Sequence, residues 1–476
     1  MRSVKINLAI LILLFLLLSC TPKPTKSFNV LMIAVDDLRP ELGCYGNTLI
    51  QSPNIDELAR QGITFKNSYC NIPVSGASRA SLLTGMRPTR NRFLSYYTRA
   101  DVEAPDAVAL PRHFKNNGYY TISNGKIFHH MQDKADSWDE NWRPKTVPTW
   151  RDYHIEENVQ LELAGGGPPW ENADVHDTTY HDGKLAEKTI ADLKRMKESG
   201  KTFFIASGFV KPHLPFNAPK KYWDLYNLED FNPSERAFWP DNAPAEAFHN
   251  SGELRAYHGI PEEGFISDSA SLMMQYGYYA CVSYIDAQIG KVLRALEELD
   301  LAENTIVILW GDHGWNLGEH GMWCKHCNFN TSLQTPLLIR APGYSADESS
   351  DAMVEFVDIY PTLSELCGLP LPGTLEGTSL VPLLKDPEAE WKDYIVSKYF
   401  DGLTLKTSAY AYTDWRTDKD SLISMMLYDH QNDKAERENL APDPEFSILV
   451  DSLQEELRLK RGKNYLKPNP ITQQDD

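Results

Sequence analysis

The chain has 476 residues, 42% of them apolar and 11% aromatic, which is long and apolar enough for a large core and excludes a disordered protein. Its 66 acidic and 47 basic side chains leave a formal charge of −19, which argues against nucleic acid as a partner. An anionic small substrate stays open, because a local cluster of cations can reverse the potential inside a cleft.

Residues 1–19 carry Arg2 and Lys5 ahead of an apolar run from Ile6 to Leu18, too short to span a bilayer but suited to a secretory signal. The run ends Leu17-Leu18-Ser19-Cys20, which resembles a bacterial lipobox with lipid added at Cys20, and Pro- and Lys-rich residues 20–27 form a tether. The expectation is an exported lipoprotein held at the membrane by a lipid anchor, periplasmic or at the cell surface. Phe28 to Val35 is a continuous apolar run of strand length that stops at Asp36-Asp37. Such runs suit central parallel strands buried on both faces. Thr202 to Ser207 and Thr305 to Trp310 repeat the pattern, the latter stopping at Gly311-Asp312-His313. Helical segments are predicted at 52–62, 183–199 and 273–299. Alternating helices and buried strands predict an α/β fold with helices on both faces of the sheet. Residues 131–182 and 215–265, rich in Trp, Pro, Gly and charge, read as long insertions of the kind that carry binding function. Strands predicted at 394–400, 409–415 and 422–428 and a helix at 446–459 make a smaller C-terminal subdomain, 385–476, after a catalytic domain of 28–384.

Adjacent carboxylates at a strand end are costly unless a cation neutralises them, so Asp36-Asp37 and Asp312-His313 suggest a metal with hard oxygen ligands, calcium or magnesium. Lys126 and His129, Lys211 and His213, and Lys325 all follow predicted strands and favour one cationic cleft. The Cys324-Lys325-His326-Cys327 stretch lacks a second pair at metal spacing, so small buried thiols or one local disulfide are expected there. Ser75-Gly76-Ala77-Ser78-Arg79 opens a predicted helix that needs only one capping hydroxyl, so Ser75 is either the cap or a nucleophile, and in the second case Ser78 is the expected cap.

Seven stretches together carry a resemblance. Asp36-Asp37-Leu38-Arg39-Pro40 through Gly46 is similar to the N-terminal signature of the type I, formylglycine-dependent sulfatases, in the iduronate-2-sulfatase-like branch. Ser75-Gly76-Ala77-Ser78-Arg79 with Leu83-Thr84-Gly85 resembles the family's modification motif. Gly125 to His129, Lys211-Pro212-His213, Gly311 to Trp315 and Trp323 to His326 match that branch in order and spacing, and Tyr428 to Leu440 resembles its C-terminal signature.

The resemblance implies an alkaline-phosphatase-like sandwich with a large mixed, mostly parallel sheet and a C-terminal antiparallel sheet. It implies a sulfatase whose Ser75 is oxidised to formylglycine, with one calcium ion held by Asp36, Asp37, Ser75, Asp312 and His313. A sulfate ester hides its sulfur behind negative oxygens, so the site must supply positive charge and a strong oxygen nucleophile. By the same carry-over, Arg79 and Lys126 polarise residue 75, His129 moves its protons, Lys325 binds sulfate oxygens and His213 protonates the leaving sugar oxygen. Trp315 would line the sugar pocket. Ser75 stands where animal members have Cys, and Ala77 where they have Pro; the Ser-and-Ala form resembles substrates of the bacterial serine-type maturase. The implied substrate is a sulfated oligosaccharide or polysaccharide fragment, attacked from its end, a 2-O-sulfated uronate among the candidates. The alternatives are a phosphoesterase of the alkaline phosphatase superfamily and a non-catalytic sulfated-glycan-binding lipoprotein.

Overall fold

The computed structural model describes residues 28–417 and 419–464, so the signal run, Cys20 and the tether lie outside the described residues. The apolar run after Phe28 forms β1 (Asn29–Val35), buried along its whole length. Val30, Met32 and Ala34 join one apolar cluster while Leu31, Ile33 and Val35 join another, as a strand covered on both faces requires. Seven further strands complete the main sheet: β2 (Ile63–Tyr69), β3 (Tyr120–Gly125), β4 (Glu140–Trp142), β5 (Phe203–Phe209), β6 (Thr305–Gly311), β7 (Leu337–Arg340) and β8 (Glu348–Glu355). Their order is β8-β2-β7-β6-β1-β5-β3-β4. β1 lies between β5 and β6 in parallel register, Val30 opposite both Phe204 and Ile306. β7 is the antiparallel member, against β6 and β2.

The flanking helices are α1 (Pro53–Arg60), α2 (Ser75–Thr84), α3 (His181–Ser199), α4 (Asp268–Glu298) and α5 (Ile359–Leu366). α3 and α4 bury Leu185, Leu193, Tyr278 and Ile285 on one face of the sheet, while α2 and α5 bury Ala77, Leu82, Ile359 and Leu363 on the other. α4 starts five residues before the predicted 273, where Ser267 Oγ accepts from Ala270 N. That polar first turn carries no apolar period, so only its cap marks it. No helix among the described residues is long and apolar enough to cross a membrane.

A second sheet comprises β9 (Tyr394–Tyr399), β10 (Gly402–Thr407), β11 (Tyr410–Arg416) and β12 (Leu422–Asp429), antiparallel throughout. The closing helix α6 (Ser447–Asn464) lays Val450, Leu453 and Leu457 on Leu403, Leu405, Tyr412 and Leu427. β10 is a fourth strand that the sequence pattern did not separate from its neighbours. Cys44, Cys70, Cys281, Cys324, Cys327 and Cys367 are free thiols, so Cys324 and Cys327 are not bridged.

Asp177 ties α3 to α4. Its buried carboxylate accepts from Lys291 (2.7 Å), Gln288 (3.2 Å) and Tyr222 (3.1 Å) and pairs with Lys221 at 2.7 Å. Burial pushes its pKa up, but Lys221, Lys291 and Gln288 together pull it down to about 2. A depressed folded pKa means stability that is present above the unfolded value near 4 and is lost as pH falls toward 2. Asp177→Asn is expected to cost about 1–3 kcal/mol at neutral pH, allowing for solvent screening of Lys221. The gap between the urea midpoints of variant and parent should close between about pH 5 and pH 2. A gap that stays constant with pH would count against this assignment.

Candidate active site

β1 and β6 end side by side, Val35 opposite Gly311, so the residues just beyond their carboxyl ends meet. Asp36 and Asp37 leave β1; Asp312 and His313 leave β6. One ligand atom from each of the four lies within 4.8 Å of the others, and all four side chains are fully buried. Asp37 N donates to Asp312 Oδ1 at 3.0 Å, locking the two strand ends together. Burial, reinforced by the Asp36, Glu253 and Asp312 carboxylates, pushes Asp37 well above the usual carboxylate range despite Lys325. Burial also lifts Asp312 to about 6. Asp36 goes the other way: Lys126, His213 and Arg79 overcome its burial and hold it well below that range.

His313 is neutral, because burial and then Lys325 push its pKa down to about 3. Its Nδ1 lies 3.0 Å from the Gly314 carbonyl, which only accepts, so the proton sits on Nδ1 and Nε2 is bare. Asp37 Oδ1 is buried without a hydrogen-bond partner. Three carboxylates, one of them with an oxygen that makes no hydrogen bond, and a bare imidazole nitrogen fit a hard divalent cation.

α2 delivers the nucleophile candidate. Val74 is extended (φ −141°, ψ 119°), and Ser75 is the first helical residue. Ser75 Oγ lies 3.1 Å from Asp36 Oδ1 and 2.9 Å from His313 Nε2. Ser78 is not the cap expected from sequence. Its N–H already donates to Val74 O inside the helix, and its hydroxyl donates to the Asp312 carbonyl at 2.5 Å. Ser78 therefore pins the helix to the end of β6. Arg79, one turn beyond Ser75, shares its face of α2. Its Nε donates to Asp312 Oδ2 (2.8 Å), and its other nitrogens reach Asp36 Oδ1 and the carbonyls of Lys126 and Ile127. Lys126 Nζ donates to Asp36 Oδ2. Gly76 has no room for a side chain: a Cβ there would stand 2.7 Å from Tyr96 O and 2.9 Å from Ser95 O.

The loop after β5 brings His213 to the same place, and Lys325 arrives from beyond β6. Lys325 Nζ lies 3.2 Å from Asp37 Oδ1 and 4.8 Å from the centre of the Trp315 ring. His213 Nε2 is 3.9 Å from Asp37 Oδ2, and its Nδ1 donates to Leu214 O at 2.6 Å. The structure thus gathers Asp36, Asp37, Ser75, Arg79, Lys126, His213, Asp312, His313 and Lys325. His129 is held neutral, its pKa pushed to about 2 by burial and Lys126, and its buried Nδ1 makes no hydrogen bond. Trp315 departs from expectation. It is 0% exposed and lies under Lys325 and His213, so it floors the site instead of facing a sugar. The aromatic at the mouth is Trp150, 56% exposed, with its ring 5.6 Å from that of His213. Glu253, which pairs with both Lys325 and His213, also escaped the sequence reading. Both residues belong to the long insertions, where no period or motif singles out one side chain.

The family model described as Sulfatase matches residues 28–369, and the one described as N-sulphoglucosamine sulphohydrolase, C-terminal, matches residues 318–463. The chain is 36% identical over 389 residues to iduronate 2-sulfatase of Mus musculus, covering 73% of this chain and 70% of that protein. It is 34% identical over 463 residues to iduronate 2-sulfatase of Homo sapiens, covering 85% and 83%. Among solved structures, a phosphonate monoester hydrolase from Silicibacter pomeroyi matches with a TM-score of 0.75 at 20% identity, covering 92% of this chain and 96% of that one. A 2-O GAG sulfatase matches with a TM-score of 0.68 at 23% identity, covering 92% of each. At these identities the structural matches speak to the fold alone, and that fold is the alkaline-phosphatase-like α/β architecture expected from the sequence.

Chelator-treated protein should melt at a higher temperature when calcium is restored, by an amount equivalent to about 2.7 kcal/mol at a hundredfold excess over Kd. Asp37→Asn and Asp312→Asn should abolish the gain. A melting temperature indifferent to both calcium and magnesium would sink the metal site.

Proposed function

The chain belongs to the sulfatase family and is a sulfuric ester hydrolase, and on that premise we propose that it removes sulfate from a terminal 2-O-sulfated uronate of a glycan, using a formylglycine made from Ser75 and one calcium ion. The observation that carries this reading is the setting of Ser75. Its hydroxyl opens a buried helix, touches Asp36 and the bare Nε2 of His313, and lies beside the cations Arg79 and Lys126. The 34–36% identity to iduronate 2-sulfatases supports the uronate. Attack from a chain end is supported by the depth of the site, since Lys325 is 4% and His213 9% exposed between two long insertions.

Asp36, Asp37, Asp312, His313 and residue 75 would hold calcium, which supplies polarisation of a sulfate oxygen and a lowered pKa for a hydroxyl at residue 75. A hydrated aldehyde at that position would supply one hydroxyl to attack sulfur as the ester S–O bond to the sugar breaks, and a second whose deprotonation would return the aldehyde and release sulfate. Arg79, tied to Asp312 and to two carbonyls, keeps residue 75 aimed at the metal ligands. Lys126 neutralises Asp36, and Lys325 offers its ammonium to the sulfate oxygens. His213 has its Nδ1 proton committed to Leu214 O, so the proton it gives to the leaving oxygen is the one on Nε2. After transfer the same carbonyl holds the neutral ring in place. His129, neutral and with a free Nδ1, is the base on the other side of Lys126. The reading also includes export, a lipid anchor on Cys20 and modification of Ser75 by a serine-type maturase.

Mass spectrometry of the peptide containing Ser75 comes first, to establish that it is oxidised. Matured protein should then release sulfate from 4-nitrophenyl sulfate and from a 2-O-sulfated uronate disaccharide. Ser75→Ala should lower kcat/KM by about a thousandfold or more. Turnover of phosphate monoesters with none of sulfate esters would overturn the reading. Cys20→Ala should move the protein from the membrane fraction to the soluble fraction of a bacterial host, and retention at the membrane would remove the anchor from it.

A further inference from the structure

Lys325 and His213, the two groups aimed at the substrate's sulfate, already share one carboxylate. Glu253 lies 2.9 and 2.8 Å from Lys325 Nζ through its two oxygens and 3.1 Å from His213 Nε2. One oxygen of Glu253, one of Asp37 and a nitrogen of His213 lie within 4.8 Å of one another, which places Glu253 beside the metal-binding carboxylates. We propose that Glu253 is a specificity determinant that admits monoanionic sulfate esters and disfavours dianionic phosphate monoesters at the same site.

Glu253 is held in position by its surroundings. It sits on a one-turn helix, Gly252–Arg255, whose next residue, Leu254, is fully buried in the main core. Ser251 just before it is buried, with its Oγ accepting from Trp323 N at 2.9 Å and its N–H donating to His249 Nδ1 at 2.9 Å. The segment is thus anchored on both sides of Glu253, and the carboxylate stays beside the cations when an anion enters.

The charge balance follows. Arg79, Lys126 and Lys325 with one divalent ion face Asp36, Asp37, Asp312 and Glu253, and Glu253 lowers the positive surplus by one whether or not His213 carries its Nε2 proton. A surplus lowered in this way favours a sulfate monoester, which carries one negative charge. A phosphate monoester above its second pKa carries two, and the second meets the Glu253 carboxylate in a largely buried site. Without Glu253 the surplus would be larger by one charge and would suit the dianion better. Shape cannot make this distinction, because sulfate and phosphate are nearly isosteric, so a fixed like charge is the available device.

The inference rests on the proposed function for the roles of Lys325 and His213, but its test does not need turnover. In a Ser75→Ala background with calcium present, the dissociation constants of phenyl sulfate and phenyl phosphate are measured by calorimetry at about pH 8, where the phosphate is a dianion. Phenyl sulfate should bind the protein with Glu253 more tightly. Glu253→Gln should shift the affinity ratio toward phenyl phosphate by at least tenfold, and Glu253→Asp, which keeps the charge, should shift it less. A ratio that moves less than tenfold in the Gln variant, an Asp variant that moves it as far, or parallel loss of both ligands overturns the proposal. Sulfate release by matured wild-type protein is read separately: its failure alongside a shifted ratio removes the proposed turnover, and its success alongside an unshifted ratio removes the role of Glu253.

Discussion

Three carboxylates converge at the ends of two neighbouring strands, and the rest of the site exists to make that tolerable. Asp36, Asp37 and Asp312 are fully buried, where like charges close together cannot all ionise unless cations offset them. The offsets come from separate elements: Arg79 from α2, Lys126 from the end of β3, Lys325 from the loop beyond β6. Strand order explains how they meet. β6, β1, β5 and β3 are consecutive in the sheet and parallel, so Asp312, Asp36, the His213 loop and Lys126 all emerge at one edge. The parallel sheet thus gathers at one edge residues that lie up to 276 positions apart, Asp36 and Asp312 being the extremes of the four.

A second layer keeps these loops from relaxing away from one another. Tyr278 on α4 donates to Asp37 O (2.8 Å) and accepts from Arg39 N (3.0 Å). Arg39 in turn donates to Trp315 O and Glu319, each at 3.0 Å, so the loop after β1 and the loop after β6 are joined twice. Burial alone would raise the Glu319 pKa, but Arg39 and Arg236 hold it far below the usual carboxylate range. The His213 loop has its own support: Asp182 at the start of α3 accepts from Val210 N and Lys211 N, and buried Lys211 donates to the carbonyls of His213 and Pro215. Lys211, which follows a strand as Lys126 does, is spent on backbone and not on substrate.

What the sequence revealed follows from the same physics. β1, β5 and β6 were legible because a strand buried on both faces must be apolar throughout, and the charge that stops it marks its end. β2 and β7 were not. β2 carries exposed Lys66 in its middle, and β7 has four residues, too few to show a period. Asp36, Asp37, Asp312 and His313 could be paired from strand ends alone, whereas Ser75, Arg79, Lys126 and Lys325 acquired roles through the resemblance to a family. The misreadings share a cause. Ser78 looked like a cap and Trp315 like a pocket wall because composition names a side chain without saying where it points. In the structure the one reaches Asp312 O, 234 positions away, and the other lies beneath Lys325.

The second sheet is bound up with this chemistry through the backbone around Lys325. Cys324 (φ 73°) and His326 (φ 78°) both sit in the left-handed region, where a non-glycine residue persists only if its surroundings insist. Much of that insistence comes from the C-terminal part of the chain. The His326 ring stacks on Tyr399 at the end of β9, 5.9 Å apart and 6° from parallel. Asn328 Nδ2 donates to Thr404 Oγ1 on β10 at 3.0 Å, and Asn330 N donates to Glu436 at 2.9 Å. Gly402 lets β10 come close, since a Cβ there would strike Trp415 and Asn328 Oδ1 at 2.6 and 2.7 Å. Two strained residues at roughly 1–3 kcal/mol each must be offset by these contacts. Their product is a Lys325 ammonium held between Asp37 and Glu253, beside the cluster of Asp36, Asp37, Asp312 and His313.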